Sequence, residues 1–339
     1  GNISGSSTST GSFGALQLDF YNGGQGAQTN TWYGYNAGQV HTTGGNNIAI
    51  GYGAMDDTDA GSTSLGSTNN VFIGLNTGGG TWADAASSFN IGIGNNVMVG
   101  ALNASVQNVA IGHYALSSVT TSDQNVAIGA NSAYGLTTGG TNIAIGSAAM
   151  KVHTTGVRNI AIGAEAMDDT DAGSTSLGSE DNVFVGYRAG SGTWTDAASN
   201  RNIAIGSYTM DSNLAGALDN TAMGHYALSS ITSGDKNVGL GSNAGLSITT
   251  GAENIVIGYL TGDTMTGTGN TVLIGTSAGQ AINSTGADGT VAIGHQALTA
   301  LTSGTNNVAI GFKASKAMTT ADNCTVIGYR AFESANGDE

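Results

Sequence analysis

The sequence predicts an all-β fold, a parallel β-roll or β-solenoid with coils of about 17 residues, and three observations predict it. The run Asn-Val-Ala-Ile-Gly, or a close variant, returns along the chain, and its closing glycine falls at Gly34, Gly51, Gly74, Gly94, Gly112, Gly129, Gly146, Gly163, Gly186, Gly206, Gly224, Gly241, Gly258, Gly275, Gly294, Gly311 and Gly328. A period this short is the signature of a solenoid. The composition agrees: 56 glycines, no proline and only 9% charged residues accompany 39% hydrophobic residues, too many for a disordered chain. Finally, the residues before each glycine alternate large and small, as Val109, Ala110 and Ile111 do, which is the period of a strand.

The coils are grouped. VHTTGGNNIAIGYGAMDDTDAGSTSLGS from Val40 returns as VHTTGVRNIAIGAEAMDDTDAGSTSLGS from Val152, and the offset between these two runs also separates Trp82 from Trp194 and His113 from His225. Six unequal coils thus form a duplicated super-repeat, and a third copy starting at Gly275 lacks the long insertions. Residues 1–30 break the pattern, and Leu16, Leu18, Phe20 and Tyr21 read as an irregular cap or junction covering an open strand edge. The solenoid is expected over 31–332 and a polar tail over 333–339. The first residue is not methionine, so a segment of something longer is expected.

Within a coil such as QNVAIGHYALSSVTTSD, the first element is the strand ending in Ile111. Glycine then takes the corner, because a residue without Cβ tolerates positive φ and close backbone approach. Two variable positions lead to Ala115-Leu116, or Ala297-Leu298 in a later coil, which reads as a second short strand. The Ser/Thr/Gly-rich remainder is the return loop. The asparagine before the first strand, at Asn47, Asn108, Asn125, Asn142, Asn159, Asn237 and Asn307, is a candidate for an inner ladder of amides. The simpler reading is a turn former and no more. Seventeen coils at roughly 4.8 Å each give a rod of roughly 80 Å. Helices are excluded, because glycine and polar residues every few positions cost a helix about 0.5–1 kcal/mol each.

A thin roll has little interior, so oligomerisation through one face is expected. The 8 basic against 23 acidic side chains, a formal charge of −15, argue against nucleic acid and anionic membrane surfaces as partners. No stretch reaches the roughly 20 apolar residues of a spanning helix, so no membrane insertion is expected. The single cysteine, Cys324, excludes an intrachain disulfide framework.

The coil TTGxxNVAIGxxAL resembles the head repeats of YadA-like trimeric autotransporter adhesins, and more closely the NTAIGxxAL-type repeats of bacteriophage tail fibres. The resemblance covers roughly residues 30–332. It implies a left-handed parallel β-roll, three parallel chains about one axis, and attachment to a cell surface. Adhesin head repeats are commonly shorter than the coils of this chain and lack their periodic insertions, which favours the phage side. No heptad stalk or membrane-anchor barrel is recognisable in the sequence.

Two insertions carry candidate chemistry. In the 23-residue coils, Asp56, Asp57 and Asp59, with their copies Asp168, Asp169 and Asp171, assemble the oxygen donors a calcium ion takes, without the spacing of an EF-hand. The competing reading is a solvated acidic loop. In the following 20-residue coils, Trp82 and Trp194 are candidates to stack on a sugar ring while Asp84 and Asp196 accept from its hydroxyls. The competing reading is packing over the acidic loop or between chains. His113, His225 and His295 follow the glycine, and His41 and His153 lie in return loops; polar neighbours suit them to the surface better than to a metal on a threefold axis. No GxSxG, HExxH or P-loop motif occurs, and no enzyme activity is expected.

The expected function is therefore a non-enzymatic structural and attachment segment of a homotrimeric virion or extracellular fibre. A bacteriophage tail fibre is the leading reading, contacting a host glycan or protein through segments 56–67, 78–88, 168–179 and 190–200. A bacterial adhesin head at the cell surface and a self-assembling extracellular filament are the alternatives. No cofactor beyond the candidate calcium is implied.

Overall fold

The computed structural model describes residues 29–334 apart from 40, 42–43, 57–65, 83–84, 170–177, 196 and 284. The expected N-terminal cap, but for its last two residues, and the end of the tail from 335 lie outside the described residues. Among the described residues are seventeen strands of three residues, each ending just before a closing glycine, from β1 (Thr31–Tyr33) and β2 (Ile48–Ile50) to β17 (Thr325–Ile327). Each strand pairs in parallel with that of the next coil, like residue on like residue: Val109 meets Val126, Ala110 meets Ala127 and Ile111 meets Ile128. The chain is a fibrous parallel β-solenoid with a single sheet running its length.

The closing glycine is required twice over. Gly112 has φ of 136°, and a Cβ there would lie 2.4 Å from the carbonyl oxygen of Gly129 in the next coil. Any side chain would push the coils apart.

The expected second strand does not form. The segment after glycine is a run of turns in which the second and fourth residues are left-handed, as Tyr114 (φ 58°) and Leu116 (48°), or Gln296 (57°) and Leu298 (51°), show. Left-handed geometry without glycine costs roughly 1 kcal/mol per residue. The turns offset that cost by aiming backbone donors at both neighbouring coils: Asn131 N–H donates to His113 O in the coil before at 2.8 Å, and Ala133 N–H to Ala149 O in the coil after at 2.8 Å. They also turn Ala115 and Leu116 fully inward. An Ala-Leu pair satisfies a strand or a turn equally well, so composition alone does not separate them.

In the strands the small residue points in. Ala110, Ala127, Ala144 and Ala161 are buried, while the aliphatic residues on either side face outward, with Ile111 36% and Ile128 37% exposed. The interior is filled by the strand alanines and by Ala, Leu, Met, Val and Ile side chains of the turns, such as Ala149 with Met150 and Ala166 with Met167.

The asparagines form the amide ladder. Asn125 donates from both its backbone N–H and its side-chain Nδ2 to Asn108 Oδ1, each at 3.0 Å, and its own Oδ1 accepts from Asn142 N–H at 2.9 Å. Nδ2 also reaches Gly139 O in the next return loop at 3.1 Å. The ladder is continuous from Asn30 to Asn254 through Asn70, Asn90, Asn182, Asn202 and Asn220. Thr271 then binds Asn254 Oδ1 through its amide and its hydroxyl, at 3.1 and 2.7 Å. The turn-former reading is thereby corrected, since these side chains hold coil to coil.

Next to the ladder, on the outside, a column of left-handed residues alternates in charge over six coils: Arg158, Asp181, Arg201, Asp219, Lys236 and Glu253. Arg158 pairs with Asp181 and Arg201 with Asp219 at 2.6 Å, and Lys236 with Glu253 at 3.1 Å. The guanidinium hydrogen bonds hold the Asp181 and Asp219 carboxyls below the usual range. Exposed pairs of this kind contribute little stability. They do oppose a slip by one coil, which would place like charges together.

Removing one rung tests the ladder. Asn125→Ala leaves the buried Asn142 amide without its acceptor, at about 2 kcal/mol. The expected result is about thirtyfold faster hydrogen exchange at the Asn142 amide, with little change several coils away, because a repeat array loses stability locally.

Candidate functional site at the inserted loops

The 20-residue coils differ from the rest in their core. Phe72 and Phe184 replace the strand alanine, and glycine yields room beside them: a Cβ on Gly78 would meet the Phe72 ring at 2.9 Å, and one on Gly190 would meet Phe184 at 2.5 Å. The insertion then brings an indole back onto that ring. Trp82 lies 5.9 Å from Phe72 at 68°, and Trp194 lies 5.6 Å from Phe184 at 59°. Both tryptophans are only 3% exposed, and neither indole N–H has a hydrogen-bond partner. The indoles are packed, on the strand phenylalanine and not over the acidic loop alone, because an aromatic pair supplies the apolar volume that a wider coil needs. Of their expected companions, Asp84 and Asp196 lie outside the described residues.

Asp56, Asp168 and Asp169 are the described members of the acidic loops, whereas Asp57, Asp59 and Asp171 lie outside the described residues. Among the described residues no three His, Cys, Asp or Glu side chains gather as a metal site. The second acidic loop is tied to the tryptophan loop, because Trp194 N–H donates to Asp169 O at 3.1 Å and the Thr193 hydroxyl donates to the Asp169 carboxylate. Burial pushes the Asp168 carboxyl up to about 6, assisted by the negative charges of Glu165 and Asp169 and opposed by Arg188 and Lys151. Burial also raises Asp211, against the hydrogen bond it receives from Ser191.

The histidines divide into two kinds. His113, His225 and His295 are exposed, whereas His153 is fully buried and corrects its expected surface position. Its Nε2 lies 3.2 Å from Nδ2 of Asn159, a donor, so the ring accepts there as a neutral imidazole and joins the ladder. His41 meets Asn47 at 3.2 Å in the same way. Cys324 takes the ladder position of the last coil, its amide donating to Asn307 Oδ1 at 3.0 Å.

Sequence reasoning missed two surface features. One is the outward aliphatic stripe of the sheet, whose signal was the Val/Ile pair around each strand alanine. The other is a cluster of Tyr187, Arg188 and Tyr208 beside the Trp194 loop, whose signal was a difference between the two copies of the super-repeat. No protein-family model, no curated protein and no solved structure matches the chain.

Truncating the core indole is expected to act on the fold. Trp194→Ala opens a cavity against Phe184 and should cost about 3 kcal/mol locally, seen as faster exchange and proteolysis across the Trp194 loop while distant coils keep their protection. The Asp168 carboxyl makes a second prediction. The folded chain holds its proton up to about pH 6, and the unfolded chain releases it near pH 3.9, so this group's ionisation lowers stability as pH rises through that window. Partial exposure and screening reduce the effect to about 1 kcal/mol. Asp168→Asn should therefore melt higher than the parent at pH 7.5 and equal to it near pH 3.5, in paired thermal unfolding curves.

Proposed function

We propose that the chain is a rod segment of a homotrimeric attachment fibre, most specifically of a bacteriophage tail fibre that contacts a host-surface glycan or protein. The observation that carries this reading is the outward face of the sheet. Ile93, Ile111, Ile128, Ile162 and Ile205, each 36–37% exposed, belong to one aliphatic stripe that follows the sheet from coil to coil. Monomers do not leave a continuous apolar stripe of that length to water; it is an interface. Its partner is a second copy of the same chain, because matched register repeats the same aliphatic pair at the same rise in every copy. Three parallel copies with left-handed coils is the arrangement implied by the resemblance of the NVAIGxxAL repeat. The phage assignment rests on that resemblance, on the 17-residue coil and on the periodic insertions.

In this fibre the buried tryptophans anchor the inserts, and the contact surface is offered by what those inserts hold in place. The test is mass in solution. Native mass spectrometry or light scattering should return three times the chain mass, and Ile111→Glu with Ile128→Glu, at positions open to solvent within one chain, should return a single chain that keeps its β spectrum. A parent chain that is monomeric at micromolar concentration overturns the reading.

A further inference from the structure

The geometry points to a binding site for an uncharged saccharide on the second super-repeat, made by Tyr187, Arg188 and Tyr208 with the carboxylates of Glu165 and Asp211.

The two copies of the super-repeat share the acidic loop, the tryptophan and the histidine at one constant offset, so positions where they differ separate decoration from scaffold. Just after the corner glycines they differ sharply. Gly53, Leu75, Asn76, Asn96 and Val99 of the first copy become Glu165, Tyr187, Arg188, Tyr208 and Asp211 in the second. All five changes fall on three stacked coils and meet at one spot. Nothing in the backbone asks for them, since Arg188 (φ 53°) and Tyr208 (57°) are left-handed like Asn76 (49°) and Asn96 (55°), and asparagine suits that region better.

The rings are arranged as a wall and a platform. Tyr208 stacks on Tyr226 at 4.9 Å and 11°, and the Arg188 guanidinium lies over its ring at 5.8 Å. Tyr187 stands perpendicular to it, at 5.3 Å and 89°, and is 43% exposed. No other ring or cation packs on Tyr187 among the described residues. The exposed pairs Tyr35–Tyr52 and Phe312–Tyr329 lie nearly flat on one another, at 20° and 13°, so each ring covers its neighbour.

One edge of the platform is polar and pre-ordered. Arg188 Nε donates to Ser191 Oγ at 3.1 Å and lies 3.7 Å from the Glu165 carboxylate, and the Ser191 hydroxyl donates to Asp211. The guanidinium Nη groups make no hydrogen bond among the described residues, so they remain donors beside two carboxylate acceptors. A pyranose fits this chemistry. Its C–H face lies on an aromatic ring, and adjacent hydroxyls accept from a guanidinium while donating to carboxylates. An acidic sugar is disfavoured, because the carboxylates of Glu165 and Asp211 flank the arginine on a chain of net charge −15. The site lies within one chain, so a trimer carries three copies and gains avidity from them. It deepens the attachment reading and rests on it only for the biological source of the glycan.

The experiment uses the full chain on a printed panel of neutral oligosaccharides built from glucose, galactose and N-acetylglucosamine, with sialylated glycans as anionic probes. The variant is Tyr187→Leu, Arg188→Asn, Tyr208→Asn, which installs the residues the first copy already carries on the same backbone. Expected are binding of the parent to neutral members, at least tenfold weaker binding by the variant, and unchanged mass and melting temperature. The site is overturned by a parent that binds no neutral glycan, by a variant that binds as well, or by preference for sialylated probes. It is also overturned by a variant whose mass changes, which would make the cluster a contact between chains. A monomeric parent that still binds overturns the trimer and leaves the site standing, so the two failures are distinguishable.

Discussion

Everything in this chain depends on holding coils in parallel at the spacing of one backbone hydrogen bond. A three-residue strand contributes few such bonds, and a parallel pair that short has no independent stability. The solenoid makes up the deficit by extending the same interaction around the coil. Glycine at the corner lets the backbones meet, left-handed turns send donors to both sides, and the asparagine repeats the ladder in its side chain. Asparagine suits this role because one amide supplies both a donor and an acceptor, so each rung satisfies the one below and prepares the one above. Where Thr271 replaces it, the hydroxyl still binds the rung before, and the described bonds do not carry the ladder on to Thr290.

A coil wound this tightly leaves little room in the strand: the inward residue is most often alanine, and Val256 and Leu273 are larger fully buried exceptions outside the inserted coils. Side-chain burial per coil is correspondingly small, and the aliphatic residues of highest β propensity are displaced to the outer face. A globular domain would bury its Ile and Val in its own core; here the coil leaves Ile93, Ile111, Ile128, Ile162 and Ile205 partly exposed on the outer face of the sheet. The inserted coils show how narrow the interior is. Admitting Phe72 or Phe184 takes glycine in the adjacent turn, a longer loop and an indole to close the gap, at the expense of an unpaired indole N–H.

The fold was legible because its determinants repeat. Seventeen glycines, the alternation at Val109-Ala110-Ile111 and the recurring asparagine mark the strand before each glycine and exclude a solenoid of α-helices, although the second strand they suggested after the glycine is a run of turns. What stayed hidden was conformation that no residue type announces. Leu116 and Leu298 are left-handed, a geometry in which leucine is rare, and they adopt it because the neighbouring coil supplies the hydrogen bonds. Packing was one of two readings left open at Trp82 and Trp194, and its partner was not legible, because a tryptophan in a glycine-rich insert does not reveal the phenylalanine of the preceding strand beneath it. His153 was less legible, because its place in the ladder comes from the return loop of its own coil turning Nε2 in to the Asn159 amide.

Duplication explains why the scaffold and the surface obey different rules. A position inside the coil meets its own kind above and below, so a change there must suit two neighbours at once, and the two super-repeats agree at Phe72 and Phe184, Trp82 and Trp194, and each asparagine. A position on the outside of the coil meets solvent on one side and is free to differ. The charge column shows one use of that freedom: the first copy carries Asn69, Phe89, Gln107 and Gln124 where the second carries Asp181, Arg201, Asp219 and Lys236, converting a neutral column into alternating ion pairs without altering the backbone. Tyr187, Arg188 and Tyr208 show another. A stacked coil places such residues at a fixed rise and a fixed direction, so three independent substitutions arrive in one cluster without any new loop, and the rigidity that the ladder imposes on the rod becomes the preorganisation of whatever its surface holds.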